Sequence, residues 1–396
     1  MKQIIEEIVK TTKLVPGGQA MAELADGRKV FIWGALPQET VRIQLTKLKS
    51  SYAEGFVTEV LEPNSARIAP RDECYLATSP WQIMTEAAEL AYKSQLVVDT
   101  FRQEHIELPS VPIQTDGKFW QYRNKMEYSL WYDHDTERIW PAFHRRGSHQ
   151  KILVKTSSIE RSEIWAEAQR VIEQLNSDPA AEARHYQSLL VRCNQAGEVS
   201  SALFKNGEQH PKMCPLSDSL LGQTYHYSPN GFFQINLPVY ELALNEIKRH
   251  LGDGKVVDMY SGVGTIGLSV AGERPLTLVE TDNSAYAELE HNLAGRPNVR
   301  GVHAKSEDAL EYIVADATII VDPPRAGLDV KVVDRILEVL PPRVIYLSCN
   351  PATQARDVAR LSERYRIESH TPFNFFPRTP HIEECVVLMS KVASTE

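Results

Sequence analysis

The sequence predicts an α/β fold whose C-terminal part is a doubly wound, Rossmann-like sheet, preceded by a small β-barrel and a mixed α+β region. Three observations lead there. From about Tyr225 apolar strands alternate with amphipathic helices. The first of those strands runs into a glycine-rich turn. Before residue 64, short alternating runs are separated by turn residues.

Residues 1–63 read as IIEEIVKTTKL, PGGQ, AMAEL, ADGR, KVFIWGALP, TVRIQLTKL and GFVTEVLE. Alternation bounded by Gly, Pro and Asp at this spacing predicts an antiparallel barrel of about five strands, OB-like, an architecture that serves as a platform for single-stranded RNA. The segment PNSARIAPRDE is a connector. A helix is expected from about Ile83 to His105, where alanines and leucines recur at helical spacing. Between Pro109 and Gly222 the texture is mixed, with strand-like WQYRNKMEYSLWY and YQSLLVRCN and a helical IWAEAQRVIEQL. The expected division is a barrel over 1–63, a linker helix and central α+β domain over 64–224, and an α/β domain over 225–396.

In that last segment the strands are KVVDMY, LTLVE, VRGVHA, TIIVDPP and RVIYLSC, with helices NSAYAELEHNLA and VKVVDRILEVL among them, and IES and CVVLMS closing the chain. Near-continuous apolar strands separated by helices predict a parallel sheet.

Composition narrows the function classes. With 396 residues, 42% hydrophobic and 24% charged, the chain can bury more than one core. No apolar run approaches the roughly 20 residues needed to span a bilayer, and MKQIIEEIVK lacks a signal-peptide core, so no membrane partner and a cytoplasmic location are expected. Cys74, Cys193, Cys214, Cys349 and Cys385 are odd in number and show no CxxC spacing, which argues against a disulfide framework and a structural metal site. A net charge of -9 runs against a nucleic-acid partner. Basic residues nevertheless cluster at Arg42, Lys47 and Lys49 and again at Arg145, Arg146, His149 and Lys151. Each cluster is a candidate phosphate contact or simply a solvated surface.

KVVDMYSGVGTIGLSV places Gly262, Gly264 and Gly267 between a strand and a helix, with Glu280 ending the next strand about 20 residues on. Glycine lets the backbone approach a ligand, and the carboxylate can accept hydrogen bonds from ribose hydroxyls. Such a turn suits a nicotinamide dinucleotide as well as S-adenosylmethionine, and can also be purely structural. Asp258 ahead of Tyr260 resembles the D-x-F/Y-x-G-x-G turn of class I methyltransferases. VDPPRAG then puts Asp322 at the carboxyl end of a later strand, the edge where open parallel sheets bind ligands. D/N-PP-Y/R sequences at this place mark methyltransferases that act on bases.

YLSCNPATQARD sets Cys349 at the same edge, just ahead of a helix. A small buried cysteine is one reading. The other is a nucleophile, because partial positive charge at a helix N-terminus favours thiolate. Carbon 5 of uracil is a poor nucleophile. Attack by sulfur at carbon 6 generates an enolate that can accept a methyl group, after which a base must remove the carbon 5 proton. FFPRTPHIEEC supplies His381, Glu383 and Glu384 just before the last strand.

DPPRAG, SCNPATQARD and FPRTPHIE, in this order and spacing, resemble the RNA 5-methyluridine methyltransferase family. The resemblance implies a class I S-adenosylmethionine-dependent fold with Cys349 as nucleophile and Glu383 as base. SPNGFFQIN resembles the family's F-x-Q-x-N segment, which makes Gln234 a cofactor contact. Tyr260, Gly262, Gly264, Glu280 and Asp322 match further cofactor positions, with Thr265 and Ser306 beside them. PGGQAMAEL and GALPQETVRIQL resemble the N-terminal TRAM module of many members, and YRNKMEYS resembles their central segment. Many relatives hold an iron-sulfur cluster on four cysteines after that module. RDECYLATSPWQ offers only Cys74, so no cluster and no metal are expected.

The expected cofactor is therefore S-adenosyl-L-methionine and the expected partner RNA. The TRAM resemblance points to large-subunit (23S) ribosomal RNA first and to tRNA second. No obligate protein partner is implied. A cytosine methyltransferase acting on DNA would carry its cysteine in a Pro-Cys loop after the fourth strand, whereas here the fourth strand carries DPP. RNA cytosine methylation and a non-catalytic RNA-binding protein stay as alternatives, the latter opposed by the joint presence of Cys349, Glu383, Asp322 and Gln234. The target base must leave its stack, and the barrel with the HRRGSHQK stretch is expected to hold flanking phosphates.

Overall fold

In the computed structural model, which describes residues 5–146, 150–209 and 211–392, the N-terminal strands are β1 (Glu6–Lys10), β2 (Lys13–Leu14), β3 (Ala20–Glu23), β4 (Lys29–Trp33), β5 (Thr40–Leu48) and β6 (Tyr52–Glu62). Their order is β1-β5-β6-β4-β3-β2. Alternate residues such as Val30, Ile32, Val41 and Ile43 point inward and are fully buried. Two features differ from the expected five-stranded antiparallel barrel. The first run bends at Thr11, whose N–H donates to Glu39 O at 2.9 Å while Thr12 N–H donates to Met21 O at 2.8 Å. One continuous segment thus leaves β5 and joins β3, bringing the two sheet edges together. The pair β4/β6 is parallel.

The connector carries a single turn of helix, α1 (Tyr75–Thr78), and then α2 (Glu86–Gln103), where Thr85 caps the N-terminus by accepting from Ala88 N–H. The central sheet comprises β7 (Lys125–Asp133), β8 (Arg138–His144), β9 (Lys151–Leu153), β10 (Tyr186–Cys193) and β11 (Val199–Lys205), in the order β11-β10-β7-β8-β9. Helix α3 (Ser162–Ser177) covers one face by packing Ile164, Ala168 and Ile172 on Met126, Tyr128 and Leu189. A hairpin of β12 (Leu216–Leu220) and β13 (Gln223–Tyr227) straddles residue 224 and leads into α4 (Leu237–Arg249).

The third sheet is built from β14 (Lys255–Asp258), α5 (Thr265–Val270), β15 (Leu276–Glu280), α6 (Asn283–Leu293), β16 (Val299–His303), β17 (Ala317–Val321), α7 (Val330–Val339), β18 (Arg343–Ser348), α8 (Pro351–Leu361), β19 (Tyr365–Phe373) and β20 (Glu383–Ser390). Its order is β16-β15-β14-β17-β18-β20-β19. The strands β14 to β18 are parallel, as alternation with helices requires. Strand β20 departs from the expected parallel sheet, pairing antiparallel with both β18 and β19. No helix separates β19 from β20, so the chain returns directly and the second strand must reverse. That reversal starts β20 at the edge where the parallel strands end.

One hydrophobic core runs from the barrel (Val30, Ile32, Val41) through α2 (Leu96, Val97, Phe101) to one face of this sheet (Val257, Ile319, Val344). The barrel is therefore seated on the catalytic sheet by shared packing. Within the chain, the basic stretch packs on the barrel and the central sheet. Arg145 stacks over Phe56 at 4.3 Å and Arg146 over Trp33 at 4.6 Å, both rings belonging to the barrel. Arg146 Nε also donates to Leu76 O at 2.7 Å, and Lys151 Nζ to Leu130 O at 2.8 Å. His149 lies outside the described residues. No helix among the described residues is long and apolar enough to cross a membrane.

Candidate active site

At the turn after β14, Gly262 and Gly264 have φ of 54° and 91°, the left-handed region that side chains avoid. A Cβ on Gly264 would lie 2.7 Å from Leu289 Cδ1 and one on Gly267 2.5 Å from Leu278 Cδ2, so both glycines let α5 sit close on its neighbours. A Cβ on Gly262 would meet nothing within 4 Å, leaving backbone facing open space where a ligand can approach. Glu280 ends β15, and its Oε2 accepts from Gly262 N–H at 2.8 Å while Oε1 accepts from Thr281 and Asp282 N–H at 2.8 and 2.6 Å. This carboxylate ties the glycine turn to the neighbouring strand.

Thr265 Oγ1 lies 2.9 Å from Tyr240 Oη on α4, and Ser306 Oγ donates to Met259 O. Tyr260 is partly buried against the shared core. Gln234 is buried in the loop before α4, where its carbonyl accepts from Asn124 Nδ2 of the central domain at 3.1 Å. Asp258 is fully buried, with Oδ2 accepting from Gly267 N–H at 2.9 Å. Burial pushes its carboxyl up to about 7, with the charge of Glu280 adding to the effect. Burial, and then the charge of Asp258, push Asp322 up to about 7 as well. Asp258 and Glu280 end β14 and β15 and Asp322 follows β17, so the three carboxyls share the carboxyl edge of the parallel strands with the glycine turn.

Cys349 follows β18 directly. Ser348 is in register with Glu384, so the next residue on each strand, Cys349 and Glu383, brings a thiol and a carboxyl to the same point of the edge. Gln354 on α8 holds the register by donating to Tyr346 O at 2.8 Å and to Glu384 O at 2.9 Å. Asn350 caps α8 by accepting from Ala352 N–H and donates to Arg325 O at 2.8 Å. Asp357 accepts from Leu328 N–H at 2.8 Å and from Tyr346 Oη at 2.9 Å. The polar residues of SCNPATQARD thus lock the loop that carries Asp322 and Arg325 against the loop that carries Cys349.

Electrostatics correct one expectation. The helix N-terminus was expected to favour thiolate, but burial, followed by the charges of Glu383 and Asp322, pushes the Cys349 thiol up to about 11. The charge of Arg325 opposes this. Burial and Asp322 also raise Glu383 well above the carboxylate range, again against Arg325. His381, whose Nδ1 lies 3.4 Å from Arg325 Nη2, is pushed down to about 4 by burial and then by the neighbouring cations, so its ring is neutral. Arg325 was not singled out in the sequence. Its signal was its place inside DPPRAG, at the loop after β17.

Comparison with known proteins adds to this geometry. The family described as tRNA (Uracil-5-)-methyltransferase matches residues 301–392, and the TRAM domain matches residues 6–58. An uncharacterized RNA methyltransferase of Thermosynechococcus vestitus is 30% identical over 91% of this chain and 93% of its own length. Another from Enterococcus faecalis is 27% identical over 97% of each chain. Among solved structures, the tRNA (uracil-54, C5)-methyltransferase of Pyrococcus abyssi, in complex with S-adenosyl-L-homocysteine, superimposes with a TM-score of 0.75 at 20% identity. That match covers 97% of this chain and 100% of that one. At that identity the likeness is one of fold.

Proposed function

Because the chain belongs to the RNA (uracil-5-)-methyltransferase family, a TRAM domain joined to an S-adenosyl-L-methionine-dependent enzyme, we propose that it methylates carbon 5 of a uridine in RNA through a covalent adduct of Cys349 with carbon 6. The observation that carries this reading is the meeting of Cys349 and Glu383 across the β18/β20 register, beside Asp322.

Gly262 and Glu280 would hold the cofactor's nucleoside, with Gln234, Tyr260, Gly264, Thr265 and Ser306 around it and Asp322 facing the reacting end. S-adenosyl-L-methionine supplies an electrophilic methyl group on its sulfonium. Cys349 gives up its proton to solvent as sulfur bonds to carbon 6, and the pair of electrons of the 5,6 double bond moves to carbon 5 and the adjacent carbonyl. With carbon 5 methylated, the Glu383 carboxylate takes its remaining proton. The electrons of that bond re-form the 5,6 double bond and expel the sulfur of Cys349. Arg325 offsets negative charge at both Cys349 and Glu383, and so favours the ionised forms that these two steps require.

Large-subunit ribosomal RNA is the proposed substrate, on the strength of the TRAM domain. The second reading is tRNA, which the matched family description and the Pyrococcus abyssi enzyme favour. Separate pools of unmodified ribosomal RNA and tRNA are incubated with radiolabelled S-adenosylmethionine, then digested and resolved as nucleosides. Labelled 5-methyluridine in the ribosomal pool supports the first reading, and label confined to tRNA supports the second. Labelled 5-methylcytidine, or no label despite cofactor binding, overturns the proposed reaction.

A further inference from the structure

In front of Cys349 lies a cleft of about 190 Å³. Its lining brings together Cys349 and Arg325, Leu96 and Thr100 of α2, and Pro16 and Gly17 of the barrel. Residues more than three hundred positions apart thus face each other across one cleft. The turn between β2 and β3 is closed by Val15 N–H donating to Gln19 O and Gly18 N–H donating to Val15 O, each at 2.9 Å.

This turn has a built seat. Gly17 and Gly18 have φ of 94° and 92°, and Gly18 is buried against the loop that carries His381. A Cβ on Gly18 would lie 2.6 Å from Pro380 Cγ and 3.1 Å from Trp81 Nε1, so only glycine allows the approach. Trp81 Nε1 donates to Gly18 O at 3.0 Å, and Trp81 N–H donates to Arg378 O at 3.0 Å. One tryptophan therefore pins both the barrel turn and the loop leading to Glu383. Gly17 differs from its neighbour, because a Cβ there would meet nothing within 4 Å.

We propose that this barrel turn is a specificity element of the active site, with Pro16 and Gly17 contacting the ribose of the target nucleotide. The inference rests on the reading of the cleft as the uridine pocket. A base held with carbon 6 at Cys349 carries its ribose within reach of the rest of a cleft of only about 190 Å³, whose lining includes Pro16 and Gly17. The barrel then does more than capture RNA at a distance, since it completes the pocket in which the reaction occurs.

The test uses the full chain and a short RNA hairpin methylated by the native enzyme. Gly17→Asn keeps a residue that tolerates left-handed backbone and adds a side chain to a turn that lines the cleft. Gly18→Ala pushes the turn off Pro380. Gly17→Asn is expected to raise KM for the hairpin about tenfold with kcat nearly unchanged, and Gly18→Ala to lower kcat/KM by a similar factor. Both are expected to bind S-adenosylhomocysteine as the native enzyme does. In addition, hairpin RNA is expected to slow alkylation of the thiol introduced by Gly17→Cys, read at that position by peptide mass spectrometry. Unchanged KM together with unprotected alkylation would overturn the proposal. If the native product is not 5-methyluridine, the assigned reaction fails, while protection at position 17 still decides the role of the turn.

Discussion

Cys349 and Glu383 are the next residues along two antiparallel strands whose register pairs Ser348 with Glu384. The pairing explains how a nucleophile at the end of β18 and a base at the start of β20 can serve one nucleobase. It leads to the first prediction. Cys349→Ala is expected to abolish methylation while preserving the melting temperature and cofactor affinity. Glu383→Gln is expected to allow methyl transfer but to retain RNA on the protein, because carbon 5 keeps its proton and sulfur cannot leave. Denaturing gel electrophoresis with labelled RNA checks this, and the absence of a denaturant-resistant band would count against Glu383 as base.

Arg325 is the cation that opposes the upward shifts of both Cys349 and Glu383. With the thiol held up to about 11, alkylation of Cys349 by iodoacetamide is expected to keep accelerating from pH 7 to pH 10. Arg325→Met removes the opposing charge and is expected to slow alkylation about threefold at any pH in that range, the scale of a charge interaction at an exposed site. Peptide mass spectrometry separates this thiol from the exposed Cys214. An unchanged rate in the variant would remove Arg325 from the site's electrostatics.

Asp258 and Asp322 set a pH dependence of stability. Both carboxyls are raised from 3.8 to about 7 in the fold. Between those values the folded chain binds more protons than the unfolded chain, so the contribution of this pair falls as pH rises from about 4 to about 7 and is flat above. The cofactor-free protein is expected to lose melting temperature across that window, and Asp322→Asn to lose less. A cationic sulfonium near Asp322 favours the ionised carboxyl. S-adenosylmethionine affinity is therefore expected to rise from pH 6 to pH 8 more than that of S-adenosylhomocysteine, which calorimetry can measure. Equal pH dependence for the two ligands would place the sulfonium away from Asp322.

Lys93 is fully buried on α2, 3.0 Å from Glu89 Oε1 and 2.6 Å from Asn374 Oδ1, and it also donates to Phe376 O at 3.1 Å. Glu89 accepts in addition from Arg378 N–H at 2.9 Å. This network fastens α2 to the loop that leads to Glu383. Lys93→Met leaves the Glu89 carboxylate with a weakened set of partners and is expected to cost about 3–5 kcal/mol. Denaturant unfolding measures the loss, and kcat is expected to fall with it while S-adenosylhomocysteine affinity is retained. A loss below about 1 kcal/mol would show that the network does not hold the loop.

Legibility in the sequence followed distance along the chain. The glycine turn, Glu280, Asp322 and Cys349 were readable because each sits at the end of an apolar strand, and strand ends of such a sheet share an edge. The helix over Glu86–Gln103 was readable because its apolar spacing spans several turns. The reversed β20 was not, since CVVLMS is a continuous apolar run that suits either direction. The stacking of Arg145 on Phe56 was equally hidden, because nothing local distinguishes a guanidinium bound for an aromatic ring from one bound for a phosphate.

What the sequence by itself determined was the fold class, the RNA 5-methyluridine methyltransferase resemblance and the candidate residues, because glycine turns, proline-terminated strands and a cysteine at a strand end are local demands of backbone geometry and chemistry. Only the tertiary structure decided how those residues meet. The Cys349/Glu383 register, the raised thiol and the barrel turn whose Pro16 and Gly17 line the cleft all arise from packing between segments remote in the chain. Burial and electrostatic shifts depend on the whole of the surrounding volume, which residue order does not encode at any one position.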